Sequence, residues 1–131
     1  MLVNMHKIID IDYGRNHAQR EYSLEYVHAI MNEYVKTGGD TFETDKVFII
    51  HEDIGDENCE FHCINGGSGK DLTKAVESLL KQLASIYVRA VTYYDNPRIN
   101  DLAKYVSFPT TVLQLNGGLD RTYEMSFDLR S

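Results

Sequence analysis

A glycine-rich segment constrains the fold of this chain more than any other stretch. It reads Asn65-Gly66-Gly67-Ser68-Gly69-Lys70-Asp71, and we call it the glycine turn. The residues before it are strand-like, and those after it repeat apolar side chains at helical spacing. Because glycine clusters mark turns, the chain is expected to pass from a strand into a helix here. Such a junction predicts a protein that packs helices on a sheet.

Length and composition limit the class of protein. The chain has 131 residues, of which 43% are hydrophobic and 25% charged, which is typical of one globular domain. Its formal net charge of −7 argues against binding of long nucleic acids, which requires many cationic contacts with phosphate. The longest apolar run, Val47–Ile50, is too short to span a bilayer. With no leader pattern at its start, we expect one cytoplasmic domain over residues 1–131.

Hydrophobic patterning predicts the elements of the first half of the chain. Lys7–Tyr13 alternates apolar and acidic residues, as a half-buried strand does. Ser23–Lys36 repeats apolar residues at helical spacing, with Ser23 as the N-cap. Lys46–Asp53 and Asn58–Asn65 are predicted to form a hairpin. Apolar residues on both of its faces indicate a central hairpin that is covered on two sides.

The position of the turn in this hairpin determines which residues of the two strands face each other. A two-residue loop at Gly55-Asp56 would place one set on a common face: Phe48, Ile50, Phe61 and Cys63. It would also place His51 opposite Glu60, with His62 diagonal to it, an arrangement that could hold zinc. Cys59 and Cys63 lie on one strand at a predicted spacing of ~13 Å, too far apart for a disulfide or a shared metal. We therefore expect reduced, buried thiols.

The second half begins with an amphipathic run. Asp71–Tyr94 places its apolar side chains on one side of a helix, which predicts one long helix. The alternative ends the helix near Ser85 and makes Tyr87–Asp95 a strand, because that stretch is rich in β-branched and aromatic residues.

The remaining elements are short. Asn96-Pro97 is typical of a helix start and predicts a short helix through Val106. Thr111–Asn116 and Thr122–Leu129 are predicted to form a hairpin around Gly117-Gly118. The resulting order is β-α-β-β-α-α-β-β. It indicates an α+β fold, with a mixed or antiparallel sheet of about five strands packed against one long and two shorter helices.

The glycine turn is also the strongest candidate for a binding site. Glycines allow backbone N–H groups to surround an anion, and the N-terminus of the following helix adds positive potential. The spacing is not that of a P-loop, because Ile64 occupies the place of a required glycine. The predicted ligand-binding residues are Arg15, His17, Arg20, Asn65, Gly66, Gly67, Ser68, Gly69, Lys70 and Lys74. The alternative is a plain turn capped by Ser68 or Asp71.

Two charge patterns accompany this site. On the projection of one long helix, a cationic track shares one side: Lys70, Lys74, Lys81 and Arg89. The alternative reading of this track is a solvated lysine face. On the predicted first strand, Asp10 and Asp12 share a face, where they could hold a divalent ion or form a solvated acidic surface.

Two short resemblances concern the same segments. The strand, Gly66-Gly67-Ser68 with Lys70, and the helix together resemble a motif of CRISPR-associated Rossmann-fold sensors of cyclic oligonucleotides. That resemblance implies a nucleotide ligand. The run Ile9-Asp10-Ile11-Asp12-Tyr13-Gly14 resembles the first strand of RNase-H-like nucleases and resolvases, which implies metal-dependent chemistry at the aspartates.

The patterns lead to three functional hypotheses, and the first of them assigns no catalytic residue, metal or cofactor. The first is a binding protein for a phosphate-bearing small molecule, including nucleotides, of the kind that phages or mobile elements use against host defence. The second is an inhibitor or adaptor that uses an acidic surface to bind a basic protein partner. The third is a metal-dependent enzyme that uses Asp10 and Asp12. We also expect a homo-oligomer, because Tyr123–Leu129 would be an edge strand able to pair with its twin.

Overall fold

The computed structural model describes residues 4–16, 22–95, 97–115 and 122–130. Three α-helices are α1 (Met5–Asn16), α2 (Leu24–Lys36) and α3 (Gly69–Leu83). Six strands are β1 (Asp40–Glu43), β2 (Val47–Gly55), β3 (Asn58–Asn65), β4 (Arg89–Tyr94), β5 (Thr110–Gln114) and β6 (Tyr123–Asp128), and a 3₁₀ segment spans Pro97–Lys104. The strands form one mixed sheet in the order β1-β2-β3-β4-β6-β5. The predicted α+β class is confirmed.

Helices cover both faces of the β2–β3 hairpin, as the sequence predicts. Alternate residues of the hairpin belong to two separate cores. On one face, Ile49 and Phe61 pack with the buried side of α3. On the other, Phe48 and Ile64 pack with buried residues of α1 and α2. Among the described helices, none is long and apolar enough to cross a membrane.

The N-terminal element is a helix, so the prediction of a strand over Lys7–Tyr13 is wrong. Met5, Ile8 and Ile9 are buried, and their spacing of three and four residues is that of one helical face. The apolar residues of this stretch fit both the two-residue period of a strand and the 3.6-residue period of a helix. Packing against Phe48 and Ile64 stabilises the helix. The resemblance to an RNase-H-like first strand is lost with the strand.

The predicted long helix ends at Leu83, and the alternative with a strand is correct. β4 occupies Arg89–Tyr94, pairing parallel with β3 and antiparallel with β6. Ala90 and Val91 are both buried although they point to opposite faces. A central strand with two covered faces favours β-branched and aromatic residues, and here this preference outweighs the helical periodicity.

The hairpin register differs by one residue from the prediction. Its loop is Asp56-Glu57, whose φ angles of 57° and 61° suit a two-residue turn with both residues left-handed. Ile50 therefore faces His62, and His51 faces Phe61. Phe48 and Ile50 do not share a face with Phe61 and Cys63, and the predicted opposition of His51 and Glu60 is wrong.

The last hairpin is present, but its place in the sheet corrects one expectation. β5 and β6 pair antiparallel, and the predicted turn at Gly117-Gly118 lies outside the described residues. β6 lies between β4 and β5, so the edge strands of the sheet are β1 and β5. The expected pairing of Tyr123–Leu129 with a twin strand therefore has no exposed edge to use.

Candidate functional site

The two parallel strands at the centre of the sheet separate along their length. β3 pairs with β4 only from Asn58–Glu60 to Arg89–Val91. Beyond these pairs β3 continues to Asn65 and β4 to Tyr94. The ladder between them ends at the Glu60–Val91 pair, and we call the region between their carboxyl halves the β3–β4 opening. Ligands of open α/β sheets bind at the carboxyl ends of parallel strands, and this opening lies at those ends.

The glycine turn lies at the mouth of this opening, and two of its glycines are required by close packing. A Cβ on Gly66 would lie 3.2 Å from the Ile8 Cα and from the Lys46 carbonyl oxygen. A Cβ on Gly67 would lie 2.5 Å from the Asp71 carboxylate and 2.8 Å from the Lys46 Cβ. The Gly66 N–H donates to the Lys46 carbonyl at 2.7 Å, which ties the turn to the start of β2.

The turn passes into α3 through a capping box. The Ser68 hydroxyl accepts from the Asp71 N–H, and the Asp71 carboxylate accepts from the Ser68 N–H at 2.8 Å. These bonds with the Ser68 backbone and side chain, together with the nearby Lys46 and Lys74, lower the pKa of Asp71. Within the described part of the chain, the N–H groups of Gly69 and Lys70 have no acceptor, so they are available to an anion.

Cationic side chains surround the turn. Lys70 and Lys74 are exposed on the first turns of α3. The Arg15 guanidinium, at the end of α1, donates to the carbonyl oxygens of Gly67 at 2.6 Å and Asn65 at 3.5 Å. The structure thus brings Arg15 and the glycine turn together, with Arg15 bonded to the turn's own carbonyls. His17 and Arg20 lie outside the described residues.

The predicted cationic track does not exist as one surface. Lys81 lies 3.7 Å from Glu77 on α3, and Arg89 belongs to β4 instead of the helix. Lys70 and Lys74 remain as the only members of the track near the turn.

The metal hypotheses do not fit the geometry. Asp10 and Asp12 lie on α1, where Asp10 contacts His28 at 2.7 Å and Asp12 accepts from the Asn65 N–H at 3.4 Å. His51 and His62 point to opposite faces of the sheet, because they lie on neighbouring strands one register position apart. In the described ranges there is no group of three or more potential ligands that could hold a metal ion.

A polar network on β4 and β6 was missed by the sequence reasoning. The Arg89 guanidinium donates through one nitrogen to the Ser126 hydroxyl at 2.7 Å and the Glu124 carboxylate at 3.2 Å. The prediction of one long helix placed Arg89–Tyr94 outside the sheet, so neither this network nor the β3–β4 opening could be predicted. The alternating residues of Arg89–Tyr94 were the signal that could have revealed them.

The fold, together with this opening, can be compared with known proteins. No family model and no curated protein matches the chain. Among solved structures, a point variant of spermidine N-acetyltransferase from Vibrio cholerae matches with 14% identity and a TM-score of 0.62, covering 96% of this chain and 90% of that one. A ribosomal-protein-alanine N-acetyltransferase from Brucella melitensis matches with 11% identity and a TM-score of 0.61, covering 95% and 94%. The chain has the GNAT fold.

The GNAT fold corrects the functional predictions. An acetyltransferase-like architecture conflicts with a phosphate-binding inhibitor directed against host defence, and equally with an acidic adaptor, so these predictions are wrong. The resemblance to Rossmann-fold sensors also fails, because the GNAT sheet is mixed and carries one parallel pair. A small-molecule partner stays compatible with the fold.

Proposed function

We propose that the chain is an N-acetyltransferase that takes its acetyl group from acetyl-coenzyme A. The observation that carries the proposal is the β3–β4 opening with the glycine turn at its mouth, within a GNAT fold. An opening between two parallel strands suits a long, narrow cofactor, and an anion-binding turn at one end suits a cofactor that ends in phosphates. Acetyl-coenzyme A has both properties.

The residues of the turn fit the phosphates of this cofactor. The N–H groups of Gly69 and Lys70 and the helix N-terminus supply hydrogen bonds and positive potential, and the ammonium groups of Lys70 and Lys74 supply mobile charge. Gly69 has open space around its Cβ position, so no side chain obstructs an approaching phosphate. Arg15 holds the turn in place through the Gly67 carbonyl.

The walls of the opening fit the extended arm of the cofactor. The ladder between β3 and β4 ends at the Glu60–Val91 pair, and both strands continue beyond it. An extended chain that carries amide groups can bind such an edge as an added strand does. When bound, the cofactor supplies an acetyl thioester: the amine nitrogen bonds to the acetyl carbon and loses a proton, while the carbon–sulfur bond breaks and the sulfur gains one.

Tyr94, the last residue of β4, is a positioning group in this scheme. Burial, with a smaller effect of Tyr123, raises its pKa to about 12. Its hydroxyl is therefore protonated at neutral pH and donates to the Asn100 amide oxygen at 2.6 Å. We expect it to join β4 to the 3₁₀ segment at the mouth of the opening without acting as a base.

Two measurements test the proposal. Calorimetric titration with acetyl-coenzyme A should show saturable binding that Lys70→Ala with Lys74→Ala weakens about tenfold, since two exposed ion pairs are worth roughly 0.5–1 kcal/mol each and about 1.4 kcal/mol is a factor of ten. Lys81→Ala is the matched control on the same helix and should bind like the unaltered protein. Acetyl-pantetheine lacks the phosphates near the lysines, so the double substitution should not affect its binding.

The second measurement is release of the cofactor thiol with a panel of primary amines. Cys59 and Cys63 should contribute little background, because burial raises their pKa values to about 11 and about 12. Absence of acetyl-coenzyme A binding, or identical binding by the double-lysine variant, would overturn the proposed function.

A further inference from the structure

The segment that packs beside α3 carries an unusually exposed aromatic side chain. Tyr105 follows the 3₁₀ segment Pro97–Lys104 and is 72% exposed, more than any other large hydrophobic residue in the described ranges. Within those ranges its ring contacts no other aromatic ring. Single exposed apolar residues are ordinary, so a function for Tyr105 depends on what lies beside it.

The backbone around Tyr105 is fixed to α3. Leu102 and Val106 are buried and belong to the same core as the inner side of α3. The Ser107 N–H donates to one oxygen of the Glu77 carboxylate at 2.9 Å, and the Ser107 hydroxyl donates to the other. Tyr105 is therefore held next to α3 on both sides of its own position, while its side chain remains in solvent.

The direction of the chain places Tyr105 on the glycine-turn side of Glu77. Because β3 and β4 are parallel, β4 ends at the same edge of the sheet as the glycine turn. From that edge the chain runs to Pro109, whose carbonyl oxygen accepts from the N–H of Asp128, the residue opposite the start of β4. α3 runs from the turn toward the same end of β4. Since Tyr105 precedes Ser107, it lies nearer the turn than the contact of Ser107 with Glu77.

Two lysines occupy the same side of α3 between Glu77 and the turn. Lys70, Lys74 and Glu77 are four and three residues apart, so they form one stripe along the helix. Lys74 lies about 4.5 Å from Glu77 and about 7.5 Å from Gly69 along the helix axis. Tyr105 thus flanks the stripe on the part that carries both lysines. The surface combines backbone N–H donors, two ammonium groups and an exposed aromatic ring.

We infer that Tyr105 stacks on the purine base of acetyl-coenzyme A, and the inference rests on the proposed function. One ribose separates the base of this cofactor from its diphosphate. A diphosphate at the N–H groups of Gly69 and Lys70 therefore leaves the base beside the Lys74 stretch of α3, where Tyr105 lies. Aromatic side chains bind nucleobases by stacking on their flat faces, whatever the base. Tyr105 is accordingly a cofactor-binding residue at the end of the cofactor that takes no part in acetyl transfer.

The chain contains no tryptophan, which allows a direct optical test. Tyr105→Trp would place the only indole of the protein at the proposed stacking position. Its fluorescence should be quenched, with saturation, as acetyl-coenzyme A is added, and should not change with acetyl-pantetheine, which lacks the base. Ile86→Trp is the matched control, because Ile86 is 66% exposed and follows the opposite end of α3. Its fluorescence should not respond to either compound.

Calorimetric titration of two further variants measures the contribution of the ring. Tyr105→Ala should weaken the binding of acetyl-coenzyme A at least about fivefold, since a stack between a base and an aromatic side chain is lost. Tyr105→Phe keeps the ring and should bind like the unaltered protein. Binding of acetyl-pantetheine should be the same for all three proteins. The exposure of Tyr105 predicts that neither substitution changes the melting temperature appreciably.

The same measurements separate this inference from the proposed function. If the unaltered protein binds acetyl-coenzyme A, equally tight binding by Tyr105→Ala would overturn the assignment of Tyr105 and leave the cofactor site standing. Unchanged fluorescence of Tyr105→Trp, or equal quenching by acetyl-pantetheine, would overturn it in the same way. No binding of acetyl-coenzyme A by the unaltered protein would overturn the proposed function, and the inference with it.

Discussion

Two glycines of the same turn are expected to respond in opposite ways to substitution. Gly67→Ala would bring a Cβ within 2.5 Å of the Asp71 carboxylate, displacing it from Ser68 and opening the capping box. We expect a loss of about 1–3 kcal/mol in the free energy of unfolding. Gly69→Ala meets no atom within 4 Å and should be neutral or stabilising by up to about 1 kcal/mol. Urea denaturation of both variants makes the comparison, and equal losses would contradict the described turn.

The capping box also predicts a pH dependence. The bonds between Ser68 and Asp71, with the nearby lysines, lower the pKa of Asp71 in the folded state below its unfolded value of about 3.9. The resulting stabilisation is complete above that value and is lost as the pH falls through the lower, folded pKa. The difference in melting temperature between the protein and Asp71→Asn should therefore be constant above about pH 5 and shrink as the pH falls from there through about pH 3. Asp101→Asn serves as the control, and a difference that does not change with pH would contradict this account.

At the scale of single elements, local sequence signals were sufficient where one period dominated. Ser23 caps α2 and the hairpin of β2 and β3 forms because their patterns have no competing reading. The glycine turn was likewise recognised from the sequence. The N-terminal element was not, because Ile9 and Ile11 satisfy a strand pattern while Met5, Ile8 and Ile9 satisfy a helical one. Only the tertiary contacts of α1 with Phe48 and Ile64 decide between them.

The helical assignment of α1 predicts unequal effects of two similar substitutions. A strand would bury Ile9 and Ile11 together, whereas in the helix Ile9 is buried and Ile11 only half-buried. Ile9→Ala should cost about 2–5 kcal/mol, and Ile11→Ala clearly less. Chemical denaturation of the two variants gives both values. Equal costs would favour the strand and contradict α1.

The junction after α3 illustrates a different limit of sequence reading. The apolar residues keep helical spacing even where the chain turns from α3 into β4. These residues are Leu79, Leu83, Tyr87 and Tyr94. Parallel pairing with β3 stabilises residues 89–94 as a strand. Because the two strands are far apart in the sequence, the hydrophobic pattern of neighbouring residues does not reveal this contact. The β3–β4 opening depends on the same pairing. For that reason the glycine turn was predictable from the sequence, whereas the opening that it borders and the Arg89 network were not.

At the scale of the molecule, a net charge of −7 is compatible with a site for phosphates, because the cations near the glycine turn are concentrated at one place. Lys70 and Lys74 lie beside the N-terminus of α3, at the mouth of the opening. Cations gathered at the turn attract phosphates locally although the chain as a whole is acidic.

The most direct test is an amide-resolved NMR titration of the unaltered protein with acetyl-coenzyme A. The account predicts saturable shifts at three places: the N–H groups of Gly69 and Lys70, the carboxyl half of β3 from Phe61 to Ile64, and the end of β4 from Thr92 to Tyr94. Shifts at all three with a single binding constant would support the cofactor site. No shifts, or shifts confined to surfaces away from β3, β4 and the glycine turn, would contradict it.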